Sequence, residues 1–216
     1  MKKLWLLIPG LSILWACATF QPAPPSFYIE SLPQAVTTQM TLEERLKAEE
    51  VWTSIRTGNS AKAEKLLERL NPGNPVYELG RGYVAILLND LPMAEQSFKT
   101  ALESRPDLVV AHLGLAQVYE IQGTEDQVLA QYREVLKREP GHSWAKPRYE
   151  ALRAKKTDSL LAEGKAALAA GQFETGKRSL LKALFYDPAS TEAHLELASA
   201  YRREKDYGSA LIHLQA

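Results

Sequence analysis

Pro106 and Pro140 lie 34 residues apart, and the residues around them recur in the same register; no other feature constrains the chain as much. A fixed period of roughly 20 to 50 residues belongs to chains built from one small supersecondary unit stacked on copies of itself. Dividing on the prolines gives repeats at 75–108, 109–142 and 157–190, with a partial repeat at 191–216. Pro188 follows Pro140 by 48 residues, one period plus 14, so residues 143–156 form an insertion. Fourteen residues make about 3.9 turns of α-helix at 3.6 residues per turn, so an insertion of that length keeps the same helix face turned inward. The spacing therefore predicts a helical insertion inside one long helix from Pro147 to Ala170.

Within each repeat the residue types recur at matching places. The eighth place is small, as Gly82, Ala116, Gly164 and Ala198, which lets two helices approach closely. The eleventh holds Tyr119 and Tyr201, with Ala85 and Ala167 in the other two repeats. Asn89-Asp90, Gly123, Gly171 and Lys205-Asp206 mark a turn, being residues that end a helix or tolerate positive φ. Beyond the turn come Ala94, Val128, Gly176 and Ala210, then Phe98, Tyr132, Leu180 and Leu214, then Ala101, Val135 and Ala183. This is the i, i+3, i+4 stripe of an amphipathic helix that has nothing to bury against alone.

The pattern resembles the tetratricopeptide repeat family. The resemblance implies an all-α fold, a right-handed α-solenoid of tetratricopeptide-like helical hairpins whose stripes pack into one continuous core. Capping signals agree with the division: Asn74 precedes Pro75, and Ser190 with Thr191 stands beside Glu192. Upstream, Thr41 and Glu44 form a capping-box signal for a helix to about Arg56. A turn at Thr57, Gly58 and Asn59 follows, and Ala63, Leu67 and Leu70 then repeat the spacing of Ala94, Phe98 and Ala101. Residues 41–74 are thus expected to be a degenerate N-terminal helical repeat.

Ahead of the repeats, Lys2 and Lys3 precede an apolar run from Leu4 to Ala16 that is broken by Pro9 and Gly10. It is too short to span roughly 30 Å of hydrocarbon and reads as a secretory signal. The run closes on Leu14, Trp15, Ala16 and Cys17, which resembles the bacterial lipoprotein signal peptide over residues 1–17, with Cys17 as the lipidated residue. Ala18 stands where an Asp would resemble an inner-membrane retention signal, so the resemblance implies an outer-membrane anchor facing the periplasm. Residues 18–40 hold Pro22, Pro24, Pro25 and Pro33 without helical or strand period, the composition of an extended tether. In it Phe20, Phe27, Tyr28 and Ile29 either pack on the first helices or touch a partner.

Composition removes several function classes. Lys plus Arg and Asp plus Glu number 26 each, so no global basic field draws the chain to nucleic acid. Cys17 is the single cysteine, which excludes an intramolecular disulfide framework. Gly171, Gly176 and Lys177 satisfy GxxxxGK, yet Arg178 stands where Ser or Thr would ligate magnesium, and the segment follows a helix, not a strand. His112 and His194 share the fourth place of their repeats and read as packing residues, while His142 and His213 stand in other contexts. No pair has zinc-ligand spacing and no nucleophile-base pattern is visible. No enzyme activity, cofactor or metal is expected.

In the tetratricopeptide family the first helices build an inner surface. The fifth place is Leu79, Leu113, Leu161 and Leu195, read either as core or as apolar steps of a groove. The ninth place varies, as Tyr83, Gln117, Lys165 and Ser199, with Glu120, Arg202 and Arg203 nearby. These residues form the expected partner-binding groove, suited to an extended segment or a helix laid along it. The leucines do not resemble the Lys and Asn clamp by which chaperone-binding members hold a C-terminal carboxylate. Lys146, Arg148, Arg153, Lys155 and Lys156 against Glu150 give the insertion a local basic excess, either a solvated face or a patch for an acidic partner. The last repeat stops after 26 residues, so its apolar end is expected to continue in a longer chain or to meet a partner or another copy, which makes a homo-oligomer an expected assembly. The expectation is a non-catalytic, lipid-anchored adaptor binding protein partners of the cell envelope; the alternative is an accessory or regulatory subunit of an envelope enzyme.

Overall fold

The computed structural model describes residue 29, residues 32–73 and residues 75–216. Cys17, the tether as far as Tyr28 and the Asn74 cap lie outside the described residues. The described residues form helices and no strands. A single turn, α1 (Gln34–Thr37), is followed by hairpins α2 (Leu42–Arg56) with α3 (Ser60–Leu67), α4 (Pro75–Leu87) with α5 (Leu91–Ser104), and α6 (Val109–Gln122) with α7 (Glu125–Arg138). Two more complete the stack: α8 (Ala145–Ala169) with α9 (Phe173–Tyr186), and α10 (Thr191–Arg203) with α11 (Tyr207–Gln215). Helices pair within hairpins, and each hairpin packs on the next, which makes an all-α solenoid.

Local chemistry explains where the helices start and stop. Every hairpin turn contains a left-handed residue, Gly58, Asn89, Gly123, Gly171 or Lys205, with φ between 59° and 76°. Four of these fall at the fifteenth place of a repeat. Starts are capped by side chains: Asn59 accepts from Lys62 N, Asp90 from Met93 N, Ser190 from Ala193 N and Asp206 from Ser209 N. At α2 both halves of the capping box close, Glu44 N donating to Thr41 Oγ1 at 3.2 Å and Thr41 N to Glu44 Oε2 at 2.8 Å.

Glycines set the helix spacing. Phe98 is fully buried, and its ring rests against Gly82 of its own hairpin and Gly114 of the next. Leu180 covers Gly164 in the same way, and Leu67 reaches Gly80. The eighth place thus serves the hairpin's own second helix. The sixth place, Gly80 and Gly114, receives the second helix of the preceding hairpin.

Two expectations need correction. The segment before α2 is not extended throughout: Ile29, Leu32 and Val36 are buried against the first hairpins, so the chain is docked before Thr41. Nor is the core continuous. One cluster runs from Ile29 to Ala145 and takes in Tyr149 and Leu152 of α8; a second joins Leu161 and Leu168 to α9 and α10. Between them α8 presents Lys155 and Lys156, which pair with Glu125 at 2.6 Å and Asp126 at 2.9 Å. The Tyr186 hydroxyl adds a bond to Asp126 Oδ1 at 2.8 Å. Lys156, then Tyr186, hold the Asp126 carboxyl below its ordinary value. A long helix therefore bridges two apolar cores across a polar seam, where its inserted turns carry the paired Lys155 and Lys156.

Candidate partner-binding surface

The first helices pack on one another, α2 on α4, α4 on α6 and α8 on α10, and no pair of second helices packs to that extent among the described residues. First helices therefore line the inner side of the stack. The succession is interrupted between α6 and α8, where the inserted turns intervene. There a cleft of about 430 Å³ opens among α6, α7 and α8, with Val128, Ala151 and Leu152 as apolar wall and Glu120, Arg148 and Lys155 at its edge.

The polar groups of the cleft are held in place. The Tyr132 hydroxyl donates to Glu120 Oε1 at 2.6 Å, and burial followed by that carboxylate raises the phenol above its ordinary range. The Tyr119 hydroxyl donates to Glu95 Oε1 at 3.0 Å, and burial pushes it up to about 12. Both phenols stay protonated and act as donors at neutral pH. The Arg148 guanidinium stacks 3.3 Å from the centroid of the Trp144 ring, a cation–π contact that fixes its plane at the mouth. The cleft thus joins an apolar wall to a positioned carboxylate and a positioned cation.

The predicted groove residues divide. Leu79, Leu113 and Leu161 are buried, which is the core alternative for that place, and Tyr83, expected in the groove, is buried as well. The reason is that first helices pack on first helices, so the fifth and ninth places are partly consumed by the stack. The Tyr83 hydroxyl donates to the Val110 carbonyl at 3.2 Å, and its ring meets Trp52 and Phe98 edge-on. Gln117 and Ser199 are half-buried, and Glu120, Lys165, Arg202 and Arg203 are exposed. Leu195 is 55% exposed, since no further hairpin stacks on α10 and α11 among the described residues. Lys165 Nζ pairs with Glu192 at 2.6 Å across α8 and α10. Only Glu120 of the eleven predicted residues lines the cleft. Its far wall, Arg148, Ala151, Leu152 and Lys155, escaped sequence reasoning because it comes from the insertion, whose basic composition was legible but whose approach to α7 was not.

The remaining motifs are structural. Gly171 is the positive-φ turn, Gly176 lies under Leu168, and Lys177 Nζ is held at 2.6 Å by both Glu174 and Glu204. His112 bridges Gln131 Oε1 at 2.8 Å and the Pro106 carbonyl at 3.3 Å. His194 repeats that arrangement two units later, with the Pro188 carbonyl at 3.1 Å and His213 Nδ1 at 3.1 Å. Gln131 and His213 occupy the same repeat place. Among the described residues no three His, Cys, Asp or Glu side chains are grouped to hold a metal ion, and no helix is long and apolar enough to cross a membrane.

Residues 161–216 match the family model described as Tetratricopeptide repeat. A curated relative, TPR repeat-containing protein YpiA of Bacillus subtilis (strain 168), is 25% identical over 152 residues, 70% of this chain and 32% of its own length. The chain therefore spans about a third of the length of that relative. Among solved structures, MamA 41-end from Desulfovibrio magneticus RS-1 is similar at 20% identity and a TM-score of 0.41, over 82% of this chain and 93% of its own. A tetratricopeptide repeat protein from Parabacteroides merdae ATCC 43184 is similar at 17% identity and a TM-score of 0.39, over 81% and 65% respectively. Likeness at this level carries no argument about activity. Residues 161–216 are therefore tetratricopeptide repeats, and the same hairpin register runs upstream of them from residue 75 onward.

Proposed function

We propose that the chain is a non-catalytic adaptor that binds a protein partner along the inner face of its first helices, centred on the cleft between α6, α7 and α8. The observation that carries this is the cleft itself. It sets a carboxylate, Glu120, and a stacked guanidinium, Arg148, at the edge of an apolar wall of about 430 Å³. A few fixed polar groups around an apolar hollow suit capture of one side chain of an extended or helical segment. A photo-crosslinking residue at Gln117, on the same helix as Glu120, is expected to capture a protein in intact cells. Combined Glu120→Lys and Arg148→Glu substitution is expected to abolish that capture without loss of helix content. Capture unaffected by the double substitution refutes the cleft as the binding centre.

The adaptor is further proposed to be tethered by lipid on Cys17 to the outer membrane, facing the periplasm, with envelope proteins as partners. The order of Lys2 and Lys3, an apolar run, Ala16 and Cys17 supports this reading. Cys17→Ser is expected to move the protein from the membrane to the soluble fraction, and unchanged membrane association refutes lipidation.

A further inference from the structure

The outer side of α9 carries a stripe that the repeat framework does not require. Arg178, Leu181, Lys182 and Phe185 follow at i, i+3, i+4 and i+7 and so share one side of the helix. Leu181 is 46% exposed and Phe185 69%. Arg178 and Lys182 are exposed, and neither has a carboxylate at ion-pair distance among the described residues. Neighbouring Lys177 is already taken by Glu174 and Glu204.

The upstream repeats are an internal control. At the places of Leu181 and Phe185, α5 has Lys99 and Glu103, and α7 has Arg133 and Lys137, all exposed. Those hairpins fold and stack with charged residues there, so neither the hairpin nor the solenoid needs the apolar pair. A shallow hollow of about 510 Å³ borders the stripe, with Tyr201 on its far side.

We propose that this stripe docks an acidic amphipathic helix of a protein partner. Its apolar side chains would cover Leu181 and Phe185, and its carboxylates would meet Arg178 and Lys182. The inference rests on the protein-binding reading above and adds an outer surface to the inner one. Charge complementarity selects this occupant. A two-fold pairing of copies would bring Arg178 and Lys182 against their own counterparts, which like-charge repulsion disfavours. An anionic membrane is attracted by clusters of roughly four to eight cations, whereas the stripe offers two and the chain has no net charge.

The test places a photo-crosslinking benzoylphenylalanine at Phe185 in the full-length chain in its native cells, with Gln117 as the second position. The expected adduct at Phe185 is a protein segment with apolar residues at helical spacing and at least two carboxylates. Its yield should fall about tenfold or more, the factor that roughly 1.4 kcal/mol of lost contact produces, when Leu181→Lys is added or when Arg178→Glu and Lys182→Glu are added together. Helix content should not change, because α5 carries Lys99 at the place of Leu181. A lipid adduct, an adduct with a second copy, a segment lacking carboxylates, or no adduct at Phe185 overturns the proposal. Capture at Gln117 without capture at Phe185 removes the outer surface and leaves the inner one standing, and capture at neither position removes both.

Discussion

Replacing Gly114 by Ala tests the packing of the solenoid at its tightest contact. A Cβ at Gly114 would lie 2.5 Å from Phe98 Cε1 and 2.6 Å from Cε2. Carbon atoms in good contact stand about 3.5 to 4.0 Å apart, so the ring would have to retreat by about 1 Å. It has nowhere to go. On its other side a Cβ at Gly82 would already lie 2.6 Å from the same ring, and Tyr83 closes the edge at a centroid distance of 5.0 Å. Overpacking a closed core costs about 1 to 3 kcal/mol, and the absence of an escape route places this site in the upper half of that range. Alanine returns about 1 kcal/mol of helix propensity over glycine. The net expectation is a loss of about 1 to 2 kcal/mol, or about 2 to 8 °C in Tm for a chain of this size. Urea and thermal unfolding followed by circular dichroism measure it. In a Phe98→Leu background the smaller side chain leaves room, so Gly114→Ala should there be neutral or stabilising, a coupling of at least about 1 kcal/mol. Equal losses in both backgrounds, or no loss in the parent, refute the reasoning.

Three further outcomes follow from single sites. The Ser97 hydroxyl is buried with no hydrogen-bond partner among the described residues. Ser97→Ala is therefore expected to stabilise by about 0.5 to 1 kcal/mol in urea unfolding, since it removes an unpaired polar group and improves helix propensity. Lys205 sits at a φ of 63° in the turn between α10 and α11. Left-handed backbone costs a residue with a Cβ about 1 to 2 kcal/mol, so Lys205→Gly should gain about 0.5 to 1 kcal/mol after glycine's larger unfolded-state entropy is counted. A drop in Tm would contradict it. Burial, then the neighbouring His194, hold the His213 imidazole below its ordinary value. Unfolded His213 then binds a proton at higher pH than the folded one, so stability is full above about pH 6.5 and declines as the pH falls below it. Amide protection factors in α11 should fall between pH 7.5 and 5, and His213→Gln, which installs the residue found at Gln131, should flatten that fall. An unchanged pH profile in His213→Gln would rule out this pair as its origin.

Much of the hairpin was legible in the sequence because its causes are local. A turn needs a residue tolerant of positive φ, and Gly123, Gly171 and Asn89 announce themselves at a fixed place. A helix start needs a side-chain acceptor, as Thr41, Asp90 and Ser190 are. Two helices in one hairpin need a small residue where they touch, and Gly82 and Gly164 stand there. All of these lie within one 34-residue unit, so one unit can be read against the others.

What one hairpin does to the next was decided by tertiary structure. The same leucine place is core at Leu79, Leu113 and Leu161 and exposed at Leu195, because burial depends on whether another hairpin stacks there. Gly114 looks interchangeable with any helical residue until Phe98 arrives from a neighbouring unit. The length of the insertion predicted a single continuous helix, and α8 is one. Only the folded chain shows that helix parting the core at Lys155 and Lys156 and opening a cleft beside Glu120. Periodicity reports which face of a helix turns inward, since that depends on residues a turn apart. Which surface it meets depends on residues a whole repeat away, and in this chain that distance separates core from binding face.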